Sequence, residues 1–85
     1  MYKILIKEYI KKLSLKDIND FALKYNYHLK DNEDKIIYDF IVNNWESIYD
    51  GNDKLITNLK EKVSDDTYNA IIDIYNEYKE KIKRA

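Results

Sequence analysis

The sequence predicts an all-α fold, a compact bundle of four or five short helices. Its 85 residues include no proline and a single glycine, so few positions are suited to break regular structure. Apolar residues recur at intervals of three and four along most of the chain, and several of these stripes begin behind a residue that caps helix N-termini. The capping residues and the apolar stripes therefore predict the same helices. We expect residues 1–85 to form a single helical domain, because a chain of this length supports one modest core.

The first helix is predicted from an apolar stripe at the N-terminus, with lysines on the opposite face. The stripe consists of Tyr2, Leu5, Ile6, Tyr9, Ile10 and Leu13. Alternation of Tyr2, Ile4 and Ile6 would also fit a strand. Because the helical spacing continues through Leu13, we interpret residues 1–10 as helix.

The second helix is marked at both ends. Ser14 followed by Asp17 matches a capping box, in which each side chain accepts the other residue's backbone N–H. The stripe behind this cap consists of Leu15, Ile18, Phe21, Ala22 and Tyr25. Asn26 predicts the end of the helix. Tyr27 and Leu29 are then expected to anchor the connector to the core.

Three further helices are predicted along the rest of the chain. Asp31 or Asn32 is expected to cap the third helix, whose stripe is Ile36, Ile37, Phe40 and Ile41, extended by Trp45 or Ile48. The fourth stripe is Leu55, Ile56, Leu59 and Val63. Ser64 is expected to cap the last helix, with Asp65 and Asp66 at the positive end of its dipole. The core face of this helix consists of Tyr68, Ile71, Ile72, Tyr75 and Ile82.

The segment YDGND, residues 49–53, places the only glycine among acidic residues and raises the question of a calcium loop. An EF-hand needs oxygen ligands at positions 1, 3 and 5, glycine at 6 and a bidentate glutamate at 12. With Gly51 at position six, Ile48 falls at position three and Thr57 at position twelve. We therefore predict a turn, in which a left-handed Gly51 ends the third helix and the next Asn or Asp caps the fourth.

The composition offers no candidate active site. The chain has no cysteine, which excludes disulfides and thiolate zinc sites, and one glycine cannot make a glycine-rich phosphate loop. His28 has no second histidine and no nucleophile motif beside it, so we interpret it as a loop residue. The acids of residues 31–35 are interpreted as helix caps rather than metal ligands. We expect no enzyme, no catalytic residue, no metal, no cofactor and no small-molecule substrate.

The sequence favours a cytoplasmic location. Its apolar runs of three or four residues are too short to cross a membrane, and Lys7 and Glu8 interrupt the N-terminal segment where a signal peptide would be apolar. The net charge of −1 is unevenly distributed, with +4 over residues 1–30 and −6 over residues 31–66. Such asymmetry can orient a partner of opposite charge.

Our leading hypothesis is a noncatalytic protein-interaction module that binds a protein partner, a second copy of itself, or a target that it regulates or inhibits. The chain has nine tyrosines, and tyrosine suits interfaces because its ring is buried while its hydroxyl stays hydrated. The candidate interface residues are Trp45, Tyr49 and Tyr78. In the simplest form, a two-fold pair sets the basic N-terminal region against the acidic middle.

The alternative hypothesis is nucleic-acid binding by the basic N-terminal third. Residues 14–44 have the helix–connector–helix order of small DNA-gripping modules. The candidate phosphate contacts are Lys7, Lys11, Lys16 and Lys24. The connector leads into Asp31, Glu33 and Asp34, which would repel phosphate.

Residues 13–25, LSLKDINDFALKY, resemble the opening of a family of small uncharacterised helical proteins of low-GC Gram-positive bacteria, catalogued as a domain of unknown function. The matching positions are Leu13, Ser14, Asp17, Ile18, Ala22, Lys24 and Tyr25. Residues 63–71 are similar to the capped final helix of that family, which often has proline where this chain has Asp65. The resemblance implies a helical cytoplasmic protein without a known activity, so it transfers no functional residues.

Overall fold

Residues 2–84, which the computed structural model describes, form five helices and no strand. Side chains are described for residues 3–77, 79 and 80. The elements are α1 (Tyr2–Lys11), α2 (Leu15–Lys24), α3 (Glu33–Tyr49), a 3₁₀ helix (Asp53–Glu61) and α4 (Asp65–Arg84). The all-α class is confirmed, and the N-terminal segment is helix rather than strand. The radius of gyration of 12.4 Å is close to the roughly 12 Å of a compact chain of this length.

Two of the predicted helix caps are present. Asp17 N donates to Ser14 Oγ at 3.2 Å, and Ser14 N donates to Asp17 Oδ2 at 3.0 Å, which completes the capping box of α2. Thr67 N donates to Ser64 Oγ at 3.3 Å at the start of α4. Asp65 and Asp66 lie in the first turn of α4, next to its positive dipole end.

Gly51 ends α3 as predicted. Its φ of +111° lies in the region that favours glycine, and a Cβ built on it would have no atom within 4 Å. Gly51 N donates to Ile48 O at 3.0 Å, and Asn52 N donates to Ser47 O at 2.9 Å. These two hydrogen bonds form a Schellman motif, which is a helix terminus and not a metal loop.

Asn26 gives α2 the same kind of end without a glycine. Its φ is +61°, Asn26 N donates to Leu23 O at 2.9 Å, and Tyr27 N donates to Ala22 O at 3.0 Å. Asparagine is the non-glycine residue that most readily accepts this backbone. The predicted end of α2 is confirmed.

The prediction that an Asp31 or Asn32 side chain caps α3 is wrong. Asn32 occupies the N-cap position, but its φ is +67° and its side chain makes no capping hydrogen bond. Lys30 N instead donates to Glu33 Oε1 at 2.9 Å, so the first residue of α3 closes the turn from inside the helix. The left-handed Asn32 backbone cannot present its side chain as an ordinary N-cap does.

The predicted fourth helix is present as a 3₁₀ helix over nine residues, which is long for this conformation. Its buried residues, Ile56 and Leu59, are three positions apart, so a turn of three residues places both on one line. The expected cap is absent, because Asn52 precedes this helix but makes no side-chain capping hydrogen bond.

α3 is the central element of the fold. α1, α2 and the 3₁₀ helix pack against it, and α4 packs against the 3₁₀ helix. Fully buried apolar side chains in the described part of the chain come from α2 and the 3₁₀ helix, and they are Ile18, Ala22, Ile56 and Leu59. Within residues 2–84, no helix has both the length and the apolar character needed to cross a bilayer.

Candidate functional site

An apolar pocket of about 430 Å³ lies at the centre of the bundle, and residues of all five helices line it. The four buried apolar residues named above are among its lining residues. Most other lining residues are half-buried, and Tyr9 of α1 is exposed. The apolar stripes therefore face a shared space instead of closing completely on one another.

The lining of this space is almost entirely apolar, and part of it is open to the surface. An occupant that covered this lining would remove apolar area from water. Water fills a cavity only where polar groups hold it. The polar lining groups are already engaged, since Asp17 accepts from Ser14 N and the Tyr27 hydroxyl bonds to Thr67. The pocket consequently suits an apolar occupant.

Where α4 meets the 3₁₀ helix, the pocket is bordered by charge. Lys79 Nζ donates to Asp53 Oδ2 at 2.9 Å and lies 5.9 Å from the centroid of the Tyr75 ring. The hydrogen bond raises the pKa of Lys79 and lowers the pKa of Asp53. Burial raises the pKa of Tyr75, and the charge of Asp53 raises it further. Tyr75 thus contributes a neutral ring to the pocket wall.

A buried polar cluster, which we call the Glu33 junction, joins the N-termini of α3 and α4. It consists of Tyr27, Lys30, Glu33, Ser64 and Thr67. The Glu33 carboxylate accepts from Lys30 N at 2.9 Å, Ser64 N at 2.8 Å and Thr67 Oγ1 at 2.6 Å. Glu33 and Thr67 are both buried. One carboxylate therefore satisfies a backbone donor of the connector before α3 and a backbone donor 31 residues after Glu33, at the start of α4.

The hydroxyl groups of the junction form a directed chain. Because Thr67 gives its single hydroxyl proton to Glu33, the Tyr27 hydroxyl is the donor in its bond to Thr67 Oγ1. Ser64 Oγ also donates to Thr67 Oγ1 at 3.0 Å and accepts from Lys30 Nζ at 3.1 Å. Throughout the described side chains, each buried nitrogen or oxygen atom has a hydrogen-bond partner.

The junction also sets the charge state of Glu33. Burial raises the pKa of its carboxyl group, but hydrogen bonds from Ser64, Thr67 and Lys30 lower it more, so the pKa lies below its ordinary value. Sequence reasoning placed Glu33 among acids that complement the helix dipole and missed its role as a bridge. The sequence does show a glutamate three residues after Lys30, a spacing that is compatible with a turn. Nothing in the neighbouring residues indicates that Glu33 contacts Ser64.

Two of the three predicted protein-interface residues, Trp45 and Tyr49, lie on one side of α3. Trp45 is half-buried and Tyr49 is exposed, whereas the side chain of Tyr78 lies outside the described residues. With Tyr38 and Val42 they follow the spacing of one helix face, four, three and four residues apart. We call Tyr38, Val42, Trp45 and Tyr49 the α3 stripe. Its members do not line the pocket, so this surface is separate from the apolar centre.

A second apolar surface lies on α1, where Ile4, Leu5 and Tyr9 are 67%, 65% and 61% exposed. We call these three residues the α1 face. The sequence placed Leu5 and Tyr9 on the core stripe, and the structure corrects this for Leu5, which lies outside the pocket. Lys3 Nζ approaches Glu46 Oε2 and Asp50 Oδ2, each at 3.2 Å. This contact joins the N-terminal part of α1 to the C-terminal end of α3, while the α1 face is exposed to solvent.

The candidate phosphate-binding lysines, Lys7, Lys11, Lys16 and Lys24, are all exposed. Two of them face acidic neighbours on their own helices. Lys11 Nζ is 3.8 Å from Glu8 Oε1, and Lys16 Nζ is 2.6 Å from Asp20 Oδ2. The hydrogen bond to Asp20 raises the pKa of Lys16. These pairs reduce the positive charge that a phosphate backbone would meet.

The other polar candidates occupy surface positions. His28 is exposed in the connector between α2 and α3, as predicted. Over the residues that the structure describes, no three His, Cys, Asp or Glu side chains come together as a metal site would require.

No protein-family model, curated protein sequence or solved structure matches this chain. The resemblance of residues 13–25 and 63–71 to small helical proteins of low-GC Gram-positive bacteria stays a prediction. The function must therefore be inferred from the pocket, the Glu33 junction and the two exposed apolar surfaces.

Proposed function

We propose that this protein is a noncatalytic interaction module that pairs with a second copy of itself, with the α1 face of each copy on the α3 stripe of the other. The observation that carries this proposal is that the two surfaces are both apolar and differ in charge. We also propose a cytoplasmic location, on the sequence grounds given above.

The charges around the two surfaces are complementary. Lys7, Lys11 and Lys12 are exposed beside the α1 face, with Glu8 as their acidic neighbour. Asp39 and Glu46 are exposed on α3 within one turn of the α3 stripe, and because Glu46 is paired with Lys3 of its own chain, Asp39 is the acid that would face the lysines of a second copy. Opposite charges at the rim would guide the two copies into register, while the apolar side chains would supply most of the affinity.

A two-fold pair would use both surfaces of each copy. α1 and α3 are neighbours within one chain, so a symmetry axis beside them forms both intercopy contacts at once. A stable interface buries about 800 Å² on each partner, roughly an eighth of the 6356 Å² surface of this chain. Trp45 and Tyr49 would provide the aromatic anchors that such interfaces favour.

Light scattering after size exclusion tests the proposal, and the expected result is a dimer. Val42→Lys adds a cation to the α3 stripe, where the lysines beside the opposing α1 face would repel it, so we expect a monomer. Leu15→Lys is the matched control, because Leu15 is 43% exposed, close to the 40% of Val42, and lies on α2. A monomeric wild-type protein, or equal effects of the two substitutions, would contradict self-association.

The nucleic-acid alternative predicts a different result. Fluorescence anisotropy with duplex and single-stranded probes at low salt would show binding that weakens with salt, with a log–log slope of about −0.9 per phosphate neutralised on duplex DNA. Binding that is lost in a Lys7→Glu, Lys24→Glu double variant and retained in Val42→Lys would favour this alternative. Our proposal predicts no saturable binding to either probe.

A further inference from the structure

We infer that the central pocket is a binding site for an uncharged apolar molecule. This inference goes beyond self-association, because it concerns the interior of the bundle rather than the α3 stripe. The pocket volume of about 430 Å³ falls in the usual range of small-molecule sites. At roughly 30 Å³ per heavy atom, the share that water takes in the liquid, this volume holds about fourteen heavy atoms.

The lining chemistry selects against charged ligands. Among the described residues, neither lysine nor arginine lines the pocket, and the one charged lining residue is Asp17. A carboxylate or phosphate group buried here would meet no cation and would be repelled by Asp17. A ligand that is hydrocarbon throughout, or that ends in a hydroxyl group, avoids both penalties.

The edges of the pocket are held by polar contacts. The Glu33 junction joins α3 to α4, the Lys79–Asp53 pair joins α4 to the 3₁₀ helix, and Lys3 joins α1 to α3 through Asp50. These contacts oppose movement of the helices into the open space. Tyr9 is the exposed lining residue, so the entrance is on the α1 side.

The first experiment uses 1-aminonaphthalene, a neutral probe of eleven heavy atoms whose fluorescence shifts to shorter wavelength in apolar surroundings. We expect saturable binding of one probe per chain, with the near-ultraviolet circular dichroism of the folded protein retained. Dodecanol, which has thirteen heavy atoms, should displace the probe at concentrations about tenfold lower than dodecanoate, because the carboxylate would be buried without a cation. Absence of saturable binding would overturn the inference. So would binding of several probes with loss of the near-ultraviolet signal, which reports a loosened core.

Two phenylalanine substitutions on adjacent residues locate the site. Ala22 is buried and lines the pocket, whereas Leu23 is exposed and does not. Ala22→Phe should fill part of the space and weaken probe binding about 100-fold, while Leu23→Phe should leave binding unchanged. If Ala22→Phe does not fold, Ala70→Leu on the opposing α4 wall provides the same test with a smaller expected loss. Equal binding by Leu23→Phe and a folded pocket-filling variant would overturn the inference.

The same probe separates this site from the proposed dimer. Val42→Lys should abolish pairing and retain probe binding, because Val42 lies outside the pocket. Tyr9 belongs both to the α1 face and to the pocket wall, so probe binding that occurs in the Val42→Lys monomer but not in the wild-type dimer would show that the second copy closes the pocket to small molecules. That result would support self-association and overturn the small-molecule inference.

Discussion

The Glu33 junction and the central pocket are built on opposite principles. The junction contains a buried carboxylate and three hydroxyl groups, and every donor and acceptor in it is engaged at short distance. The pocket contains the apolar stripes of all five helices, yet about 430 Å³ of space remains between them. In this protein the polar contacts of the junction join the ends of two helices, and the apolar side chains line the space between the helices.

The difference follows from the geometry of the two kinds of interaction. A hydrogen bond is lost over a fraction of an ångström, so a cluster of them specifies one arrangement of helix ends. Apolar burial depends on area and tolerates displacement of one helix against another. A small bundle with short stripes can therefore be well defined at one end and open at its centre.

Removing the carboxylate of the junction should have the largest effect on stability. Glu33→Ala leaves the N–H groups of Lys30 and Ser64 and the Thr67 hydroxyl without their acceptor, and we expect a loss of about 3 kcal/mol in the free energy of unfolding. Urea denaturation measures it. Glu61→Ala, at an exposed glutamate, is the control and should change stability by less than about 0.5 kcal/mol. Equal effects of the two substitutions would show that the junction does not determine the fold.

Acidification should also destabilise the wild-type protein through the junction, and the loss of unfolding free energy should be smaller than that caused by Glu33→Ala. The folded-state pKa of Glu33 is lowered, so its contribution to stability is complete above the ordinary pKa of glutamate and is lost as the pH falls through the folded-state value. We expect the unfolding free energy to decrease on acidification, and to decrease less steeply in Glu33→Gln, which cannot titrate at this position. Melting curves from neutral pH to about pH 3 compare the two proteins. Parallel curves would contradict the assignment of the acid sensitivity to Glu33.

Removal of one hydroxyl group tests the chain within the junction. Thr67→Val keeps the shape of the side chain but leaves the Tyr27 hydroxyl, the Ser64 hydroxyl and the Glu33 carboxylate each short of one hydrogen bond, with an expected loss of about 1.5 kcal/mol. Thr57→Val is the matched control, because the exposed Thr57 hydroxyl bonds only within its own helix, to Lys54 O. Urea denaturation of both variants gives the comparison. A loss no larger than that of the control would mean that the hydroxyl chain adds no stability.

The smallest expected effect on stability comes from a substitution in the pocket, and it is stabilising rather than destabilising. Ala70→Leu adds three carbon atoms to a side chain that faces the open space, and we expect a gain of about 0.5 kcal/mol in unfolding free energy. In a densely packed core the same change would cost about 1–3 kcal/mol. Denaturant unfolding without any ligand therefore distinguishes an open centre from a closed one by the sign of the change.

The sequence predicted the features that depend on neighbouring residues. The capping box at Ser14, the helix ends at Asn26 and Gly51, and the cap at Ser64 each involve a few consecutive positions, and all four are present. The junction was not predicted, because the partners of Glu33 include a residue 31 positions away. Periodicity placed Leu5 on a core stripe, but the rotation of α1 is set by contacts with distant residues of α3.

Two members of the α3 stripe were named from the sequence, and their role at an interface stays a prediction. Trp45 and Tyr49 were selected for their size and amphipathic character, and the structure adds Tyr38 and Val42 on the same side of α3. Periodicity could have found this grouping, since the spacing is visible in the sequence. The pocket could not have been found in this way, because a stripe predicts which side chains turn inward and not how closely they meet.

The 3₁₀ helix acts as a spacer that runs back along α3 and covers about 18 Å of its roughly 25.5 Å length. The chain leaves α3 at the Gly51 turn and must return alongside it so that Ser64 reaches Glu33 at the other end. Nine residues span about 18 Å as a 3₁₀ helix and only about 13.5 Å as an α-helix. The tighter winding thus provides about 4.5 Å of extra reach, and the addition or loss of one residue in Asp53–Glu61 would displace Ser64 from Glu33 by roughly 2 Å.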